Sequence, residues 1–192
     1  MRYILILLLT LNSSNGFTQK EIVFSRKSSE SLFQFLDEKA LEFSKSDIAV
    51  LKDVNVFSAY NTNDLLVVPE AFFFDSKGYR IKGFKGLGCG EAIKKIDKLF
   101  SKKSDPKDHV SNWFDKFSFL ESSSENGIDD ESYDVFVIIH WATFLSDESQ
   151  TSLNWYRSLK NNSKYKIRVV LLSLDIHEDW TLTEAHKKAL KL

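Results

Sequence analysis

The chain has 192 residues, 43% of them hydrophobic and 28% charged, and a formal net charge of -1 at pH 7. With seven glycines and two prolines, this is a globular composition and it excludes a disordered chain. The near-zero charge gives no electrostatic reason to expect nucleic acid or an anionic membrane surface as a partner.

The first residues have the three parts of a secretory signal peptide: Met1-Arg-Tyr, then the apolar run Ile4 to Leu11, then Asn12-Ser-Ser-Asn-Gly16. The run is too short to cross a bilayer as a helix, and Ser14 and Gly16 are small enough for the two key positions of a cleavage site. Residues 1–16 are therefore expected to be removed, leaving a periplasmic or extracellular protein with no membrane segment. Such a compartment favours disulfides, yet Cys89 is the only cysteine. It cannot pair within the chain, so it is either buried and inert or able to pair with another molecule.

Downstream, residues 21–24 read as a strand. Residues 29–43 read as a helix with Leu32, Phe33, Phe35, Leu36, Ala40 and Phe43 on one apolar face and Ser28 or Ser29 as cap. Residues 48–51 form a second strand, and 54–64 a connection with room for a short helix. Two apolar runs flank the turn Asp75-Ser-Lys-Gly78, as a hairpin requires. Residues 91–100 then read as a helix, with Ile93, Ile96, Leu99 and Phe100 on one face. Residues 101–106 end in Pro106 and read as a linker. The stretch 112–120 carries Trp113, Phe114, Phe117 and Phe119 and reads as a packed lead-in, and 122–131 as an acidic, serine-rich loop. Strand 135–139, helix 151–159 and strand 167–174 have the periodicity of a βαβ unit in a parallel sheet. A last helix follows Trp180.

Three of these segments carry a family resemblance. His140-Trp-Ala-Thr-Phe-Leu-Ser-Asp-Glu148, between strand and helix, resembles the active-site segment of the thioredoxin superfamily, Phe-Trp-Ala-x-Trp-Cys-x-x-Cys. Trp141, Ala142, Thr143 and Phe144 keep the frame, and Leu145 and Glu148 stand where the two cysteines would be. Residues 67–86 resemble the later half of that fold, in which a cis-proline precedes an antiparallel hairpin; Pro69 takes its place. Ser173-Leu-Asp175 and Trp180 resemble the segment after the second strand in periplasmic thiol–disulfide reductases of the TlpA type. The resemblance implies an α/β chain with a complete thioredoxin-like domain at 20–103, a linker and lead-in at 104–132, and an incomplete, N-terminal half of a second such domain at 133–192. The first domain's own dithiol position, Ser25-Arg-Lys-Ser-Ser-Glu-Ser31, holds no cysteine either.

In this division the strand 135–139 lacks its third-strand neighbour and has an open edge, which must be covered somehow. The chain could be a truncated product, the half-domain could lean on the first domain or pair between copies, or the fold could be permuted, with 67–100 completing the half that starts at Val135. The expectation taken forward is that 112–120 packs over the half-domain and that the remaining edge drives self-association.

Thiol–disulfide exchange needs a thiolate and, ordinarily, a second cysteine to resolve the mixed disulfide. Leu145 and Glu148 supply neither. Cys89 lies in Gly86-Leu-Gly-Cys-Gly90 just ahead of a helix, whose N-terminus lowers a thiol pKa. His109, His140, His177 and His186 show no metal-ligand spacing, so neither metal nor cofactor is expected. His140 reads as a buried, hydrogen-bonded histidine, or as part of a polar cluster with Asp147 and Glu148. Ser28, Ser29 and Ser31 have no placed base and read as caps. Gly86, Gly88 and Gly90 do not follow a parallel strand, which argues against a phosphate loop. In the family, backbone beside the proline pairs with an extended peptide, so Val68 and Pro69 are peptide-binding candidates; otherwise Pro69 only sets a turn. The expected function is an exported, thioredoxin-like binding or scaffold module without a redox dithiol, with an unidentified protein or peptide as partner. The alternative is a thiol oxidoreductase or peroxide-handling protein acting through Cys89 or a partner's cysteine.

Overall fold

A computed structural model describes residues 24–86, 88–121 and 132–192. Its strands are Arg26–Lys27 (β1), Ile48–Leu51 (β2), Glu70–Asp75 (β3), Tyr79–Ile81 (β4), Ser104–His109 (β5), Phe117–Phe119 (β6), Val135–Trp141 (β7), Ile167–Ser173 (β8) and Ile176–His177 (β9). Its helices are Ser29–Glu38 (α1), Val54–Thr62 (α2), Gly88–Lys94 (α3), Ser111–Phe114 (α4), Ser146–Lys160 (α5) and Glu184–Leu190 (α6). The expected signal peptide, most of the strand at 21–24 and the loop at 122–131 lie outside the described residues. Among the described residues no helix is long and apolar enough to cross a membrane.

Local chemistry sets several boundaries. Ser28 caps α1, its Oγ accepting from the Ser31 N–H at 3.1 Å. Asp53 caps α2 by accepting from the N–H groups of Asn55 and Val56. In the β3–β4 turn the Asp75 carboxylate accepts from the N–H groups of Lys77 and Tyr79, and Gly78 sits at φ +81°. A Cβ on Gly78 would come within 2.6 Å of the His109 ring, so both the left-handed backbone and the close approach require glycine there.

Seven strands form one mixed sheet in the order β5-β4-β3-β7-β8-β2-β6. β7 and β8 run parallel, joined through α5, and β2 is parallel to β8. β3 is antiparallel to β7 along its whole length, from Glu70↔His140 to Asp75↔Val135. β1 and β9 form a separate two-stranded parallel ribbon.

This arrangement corrects the expected division of the chain. β7 is not at an edge; it lies in the middle of the sheet, hydrogen-bonded on both sides. The stretches 20–103 and 133–192 do not make separate sheets. The β3–β4 hairpin from the first pairs beside the β7–α5–β8 unit of the second, within one sheet. The physical reason is the composition of β7: all seven residues are buried, so both faces must be covered and both backbone edges paired. The expected route to self-association is thereby closed. The outer strands are instead β5 and the three-residue β6. β5 occupies part of the expected linker, and its outermost position accommodates Pro106.

Alternate residues of β7 serve opposite faces. Val135, Val137, Ile139 and Trp141 pack in one cluster with Leu32 and Leu36 of α1, Ala92 and Ile93 of α3, and Leu153, Tyr156 and Leu159 of α5. Phe136 and Ile138 face the other cluster, with Val54, Phe57 and Tyr60 of α2 and Trp113 and Phe114 of α4. The aromatic lead-in does cover the sheet as expected, but its indole sits mainly on the hairpin: Trp113 lies 4.5 Å from the Phe72 ring and 5.7 Å from Phe74, centroid to centroid. Its Nε1–H donates to Asp108 at 2.7 Å. Trp113 is 5% exposed, and Trp113→Ala should lower unfolding free energy by about 3–5 kcal/mol, the usual range for a buried aromatic cut to alanine. Urea unfolding followed by circular dichroism measures it; a loss below about 1 kcal/mol would mean that the lead-in does not hold this face.

Candidate functional site

The C-terminal ends of parallel strands, where the chain turns into helices, are where open α/β sheets place their sites. Here β7 ends in Trp141, and Ala142 leads into a single 3-10 turn, Thr143–Leu145, that runs directly into α5. Asp175, just beyond β8, holds this turn. It accepts from the Thr143 N–H at 2.9 Å, from the Thr143 hydroxyl at 2.6 Å and from Ser173 Oγ at 2.8 Å. Asp175 is 1% exposed. Burial raises its pKa above the ordinary carboxylate range, while the bonds from Thr143 and Ser173 oppose that rise. From the other side, Ser149 Oγ donates to the Ala142 carbonyl and accepts from its N–H, and Ser152 Oγ donates to the His140 carbonyl. Fixed hydrogen bonds thus hold the turn at 142–145 from both sides.

Of the degenerate positions, Trp141 and Ala142 are buried and Thr143, Phe144 and Leu145 half-buried; Glu148 is exposed on α5. Trp141 stacks on Phe35 at 5.6 Å. Continuing the β3–β7 register by one residue brings Pro69 beside Trp141, and the Val68–Pro69 bond is cis. On the opposite face from Trp141, Leu65, Leu66, Val68, Phe144 and Leu145 are partly buried against the cluster of Phe136 and Ile138, and Val67 is 40% exposed. Val68, Phe144 and Leu145 thus share one half-open apolar face, and Pro69 directly precedes the first paired residue of β3. Phe24 closes one side, 5.0 Å from the Phe144 ring.

His140 is buried under this surface, with Phe72 at 4.9 Å and Tyr60 at 5.9 Å. Asp147 and Glu148 are exposed on α5, so the expected polar cluster does not form. The expected hydrogen bonding is also missing: the ring nitrogens lie near the main chain of Leu65 and Val67 without closing a hydrogen bond. Burial pushes the His140 pKa down to about 3. The folded chain therefore keeps the ring neutral, while an unfolded chain takes up a proton below about 6.5. Stability from this residue is intact above pH 6.5 and falls between about 6.5 and 3, by up to about 1.4 kcal/mol per pH unit. Denaturant titrations of the wild type and His140→Phe across that range should show the variant losing less stability on acidification; parallel losses would exclude His140 as the source.

Cys89 lies in the first turn of α3, but burial outweighs the helix terminus. The thiol is 0% exposed and donates to Glu70 Oε1 at 3.1 Å. Desolvation, then the Glu70 hydrogen bond and charge, push its pKa up to about 12. Glu70 also accepts from the N–H of Gly86 at 3.1 Å and of Ala71 at 3.2 Å, so the thiol completes a buried polar joint between β3 and α3. Of the two readings of Cys89, this geometry matches the buried, inert one and not the thiol activated by its helix. Ellman's reagent should leave Cys89 unmodified for hours at pH 8 and titrate one thiol in denaturant; prompt reaction with the folded chain would overturn the assignment.

Among the described residues no three His, Cys, Asp or Glu side chains are grouped to hold a metal ion. No family model matches the chain, and no curated protein or solved structure matches it either. Sequence reasoning missed Asp175 as the anchor of the turn. The Ser173-Leu-Asp175 segment was the available signal, noticed as a resemblance without a role.

Proposed function

We propose that the chain is an exported thioredoxin-like binding module with no redox dithiol, taking an extended apolar peptide segment beside Pro69. The supporting observation is the β3–β7 pairing, which sets Glu70 opposite His140 and so puts Pro69 and Trp141 next in line, ahead of the turn 142–145 with Leu145 and Glu148 at the positions that the resemblance gives to cysteines. The order β8-β7-β3-β4, with β7 and β8 parallel and β3 antiparallel to β7, supports a permuted thioredoxin-like arrangement. In such an arrangement the turn, the proline and the hairpin would meet at one place. Backbone beside the proline offers main-chain pairing, and Val67, Val68, Phe144 and Leu145 offer shallow apolar contacts, the two ingredients of strand-addition recognition. The buried Cys89 thiol argues against thiol chemistry. Removal of residues 1–16 would put the module in the periplasm or outside the cell.

The test uses reduced, carboxymethylated α-lactalbumin as an unfolded, thiol-blocked probe. Fluorescence anisotropy should show binding that Leu145→Asp weakens at least fivefold, and an insulin assay with dithiothreitol should show no reduction above the Cys89→Ser control. Binding unaffected by Leu145→Asp would remove the site. Reduction that disappears in Cys89→Ser would replace the reading with an oxidoreductase.

A further inference from the structure

The β1–β9 ribbon pairs Lys27 with His177 and so brings the start of α1 against the residues that follow β8. Ser28 is the cap of α1, which leaves the hydroxyl of Ser29, the next residue, free of capping duty. Ser29 Oγ lies 3.4 Å from His177 Nε2. The imidazole is 4% exposed, and its Nδ1 lies 3.5 Å from the Asp179 carboxylate. The three residues border a cleft of about 170 Å3, with Phe119, Leu120 and Trp180 among its apolar walls. The Ser29 and Glu30 N–H groups belong to the first turn of α1, where main-chain donors lack intrahelical acceptors.

We propose that Ser29 and His177 form a nucleophile–base pair that cleaves short-chain acyl esters, with Asp179 at the rim orienting the imidazole. This goes beyond peptide binding and does not depend on it. His177 Nε2 takes the hydroxyl proton as Oγ bonds to the acyl carbon, and the first-turn N–H groups face the developing oxyanion. The ester C–O bond breaks, and the leaving alcohol takes the proton from His177. Water, deprotonated by the same nitrogen, then attacks the acyl carbon. The Oγ–C bond breaks, Ser29 Oγ takes the proton back from His177, and the carboxylic acid leaves. The small cleft restricts the acyl group to a few carbons. The separations are longer than in a closed hydrogen bond, as nucleophile–base contacts are in ligand-free sites, which tighten on substrate.

The chemistry fixes the tautomer. Nε2 must be the bare nitrogen, with the proton on Nδ1 toward Asp179. The Asp179 N–H also lies 3.4 Å from Nδ1, and a histidine that merely accepts from it would carry its proton on Nε2 instead. Two measurements on the full chain decide. Methanesulfonyl fluoride, small enough for the cleft, should sulfonylate Ser29: the Oγ–S bond forms, fluoride leaves, and peptide mapping finds one adduct that S29A abolishes. H177Q, provided circular dichroism shows it folded, should slow labelling at least 100-fold. Nitrogen-15 NMR of the wild type should show the Nδ1–H tautomer at neutral pH. Absence of the adduct, an adduct that survives in S29A, undiminished labelling of folded H177Q, or the Nε2–H tautomer would each overturn the proposal.

Discussion

The rest of the structure depends on the burial of β7 on all four sides. Val135, Val137, Ile138, Ile139, His140 and Trp141 are each 1% exposed or less. A strand of this kind has no solvent-facing side and no spare backbone edge. β8 supplies one edge through the local crossover of α5. The other can come only from a strand of the right length with its own apolar face, and Glu70–Asp75 is the one that takes it. Once that pairing is made, the earlier half of the chain has to lie across the later half. β2 then closes against β8, and the helices divide between the two faces.

The same constraint explains why the turn after β7 is rigid without thiols. A strand buried to its last residue delivers its exit turn into a desolvated place, where unpaired main-chain groups are expensive. Asp175, Ser149 and Ser152 satisfy those groups from three directions. The donors from Thr143 and Ser173 offset only part of the desolvation of Asp175, whose pKa stays raised.

Secondary structure was largely legible, because periodicity and caps are local signals. The apolar face of the helix that starts at Ser29, the Asp75–Gly78 turn and the run 135–139 each read directly from residue type, although that helix ends at Glu38 and not at residue 43. Sheet order was harder, since β-propensity carries no partner label. The run 135–139 announced that it needed two neighbours, but nothing in its residues said that the hairpin at 70–81 was one of them. The polar stretch 101–106 misled for a related reason: proline and charge mark a linker and an outer strand equally well. At the site, the positions from Trp141 to Glu148 and Pro69 could be named from their motifs. The buried state of Cys89 could not, because a helix N-terminus and a closed core argue for opposite thiol pKa values and only packing decides. The proximity of Ser29 and His177 had no sequence signal, the two being 148 residues apart.

The buried polar groups show how one register is selected when so much of the chain is interchangeably apolar. Asp47, just before β2, accepts from Tyr156 of α5 at 2.7 Å, pairs with Lys160 at 3.0 Å, and also pairs with Arg168 of β8. Glu70, at the first position of β3, gathers the N–H of Gly86 and the thiol of Cys89. Asp175 ties β8 to the exit of β7. Asp47 joins segments of the chain that lie far apart in sequence and meet only in the assembled sheet. A one-residue slip of β2 along β8 would move Asp47 away from Arg168 and leave both buried and unpaired, a heavier penalty than the apolar contacts alone would impose. Hydrophobic burial brings the two halves together, and these few carboxylates allow them to meet in a single way.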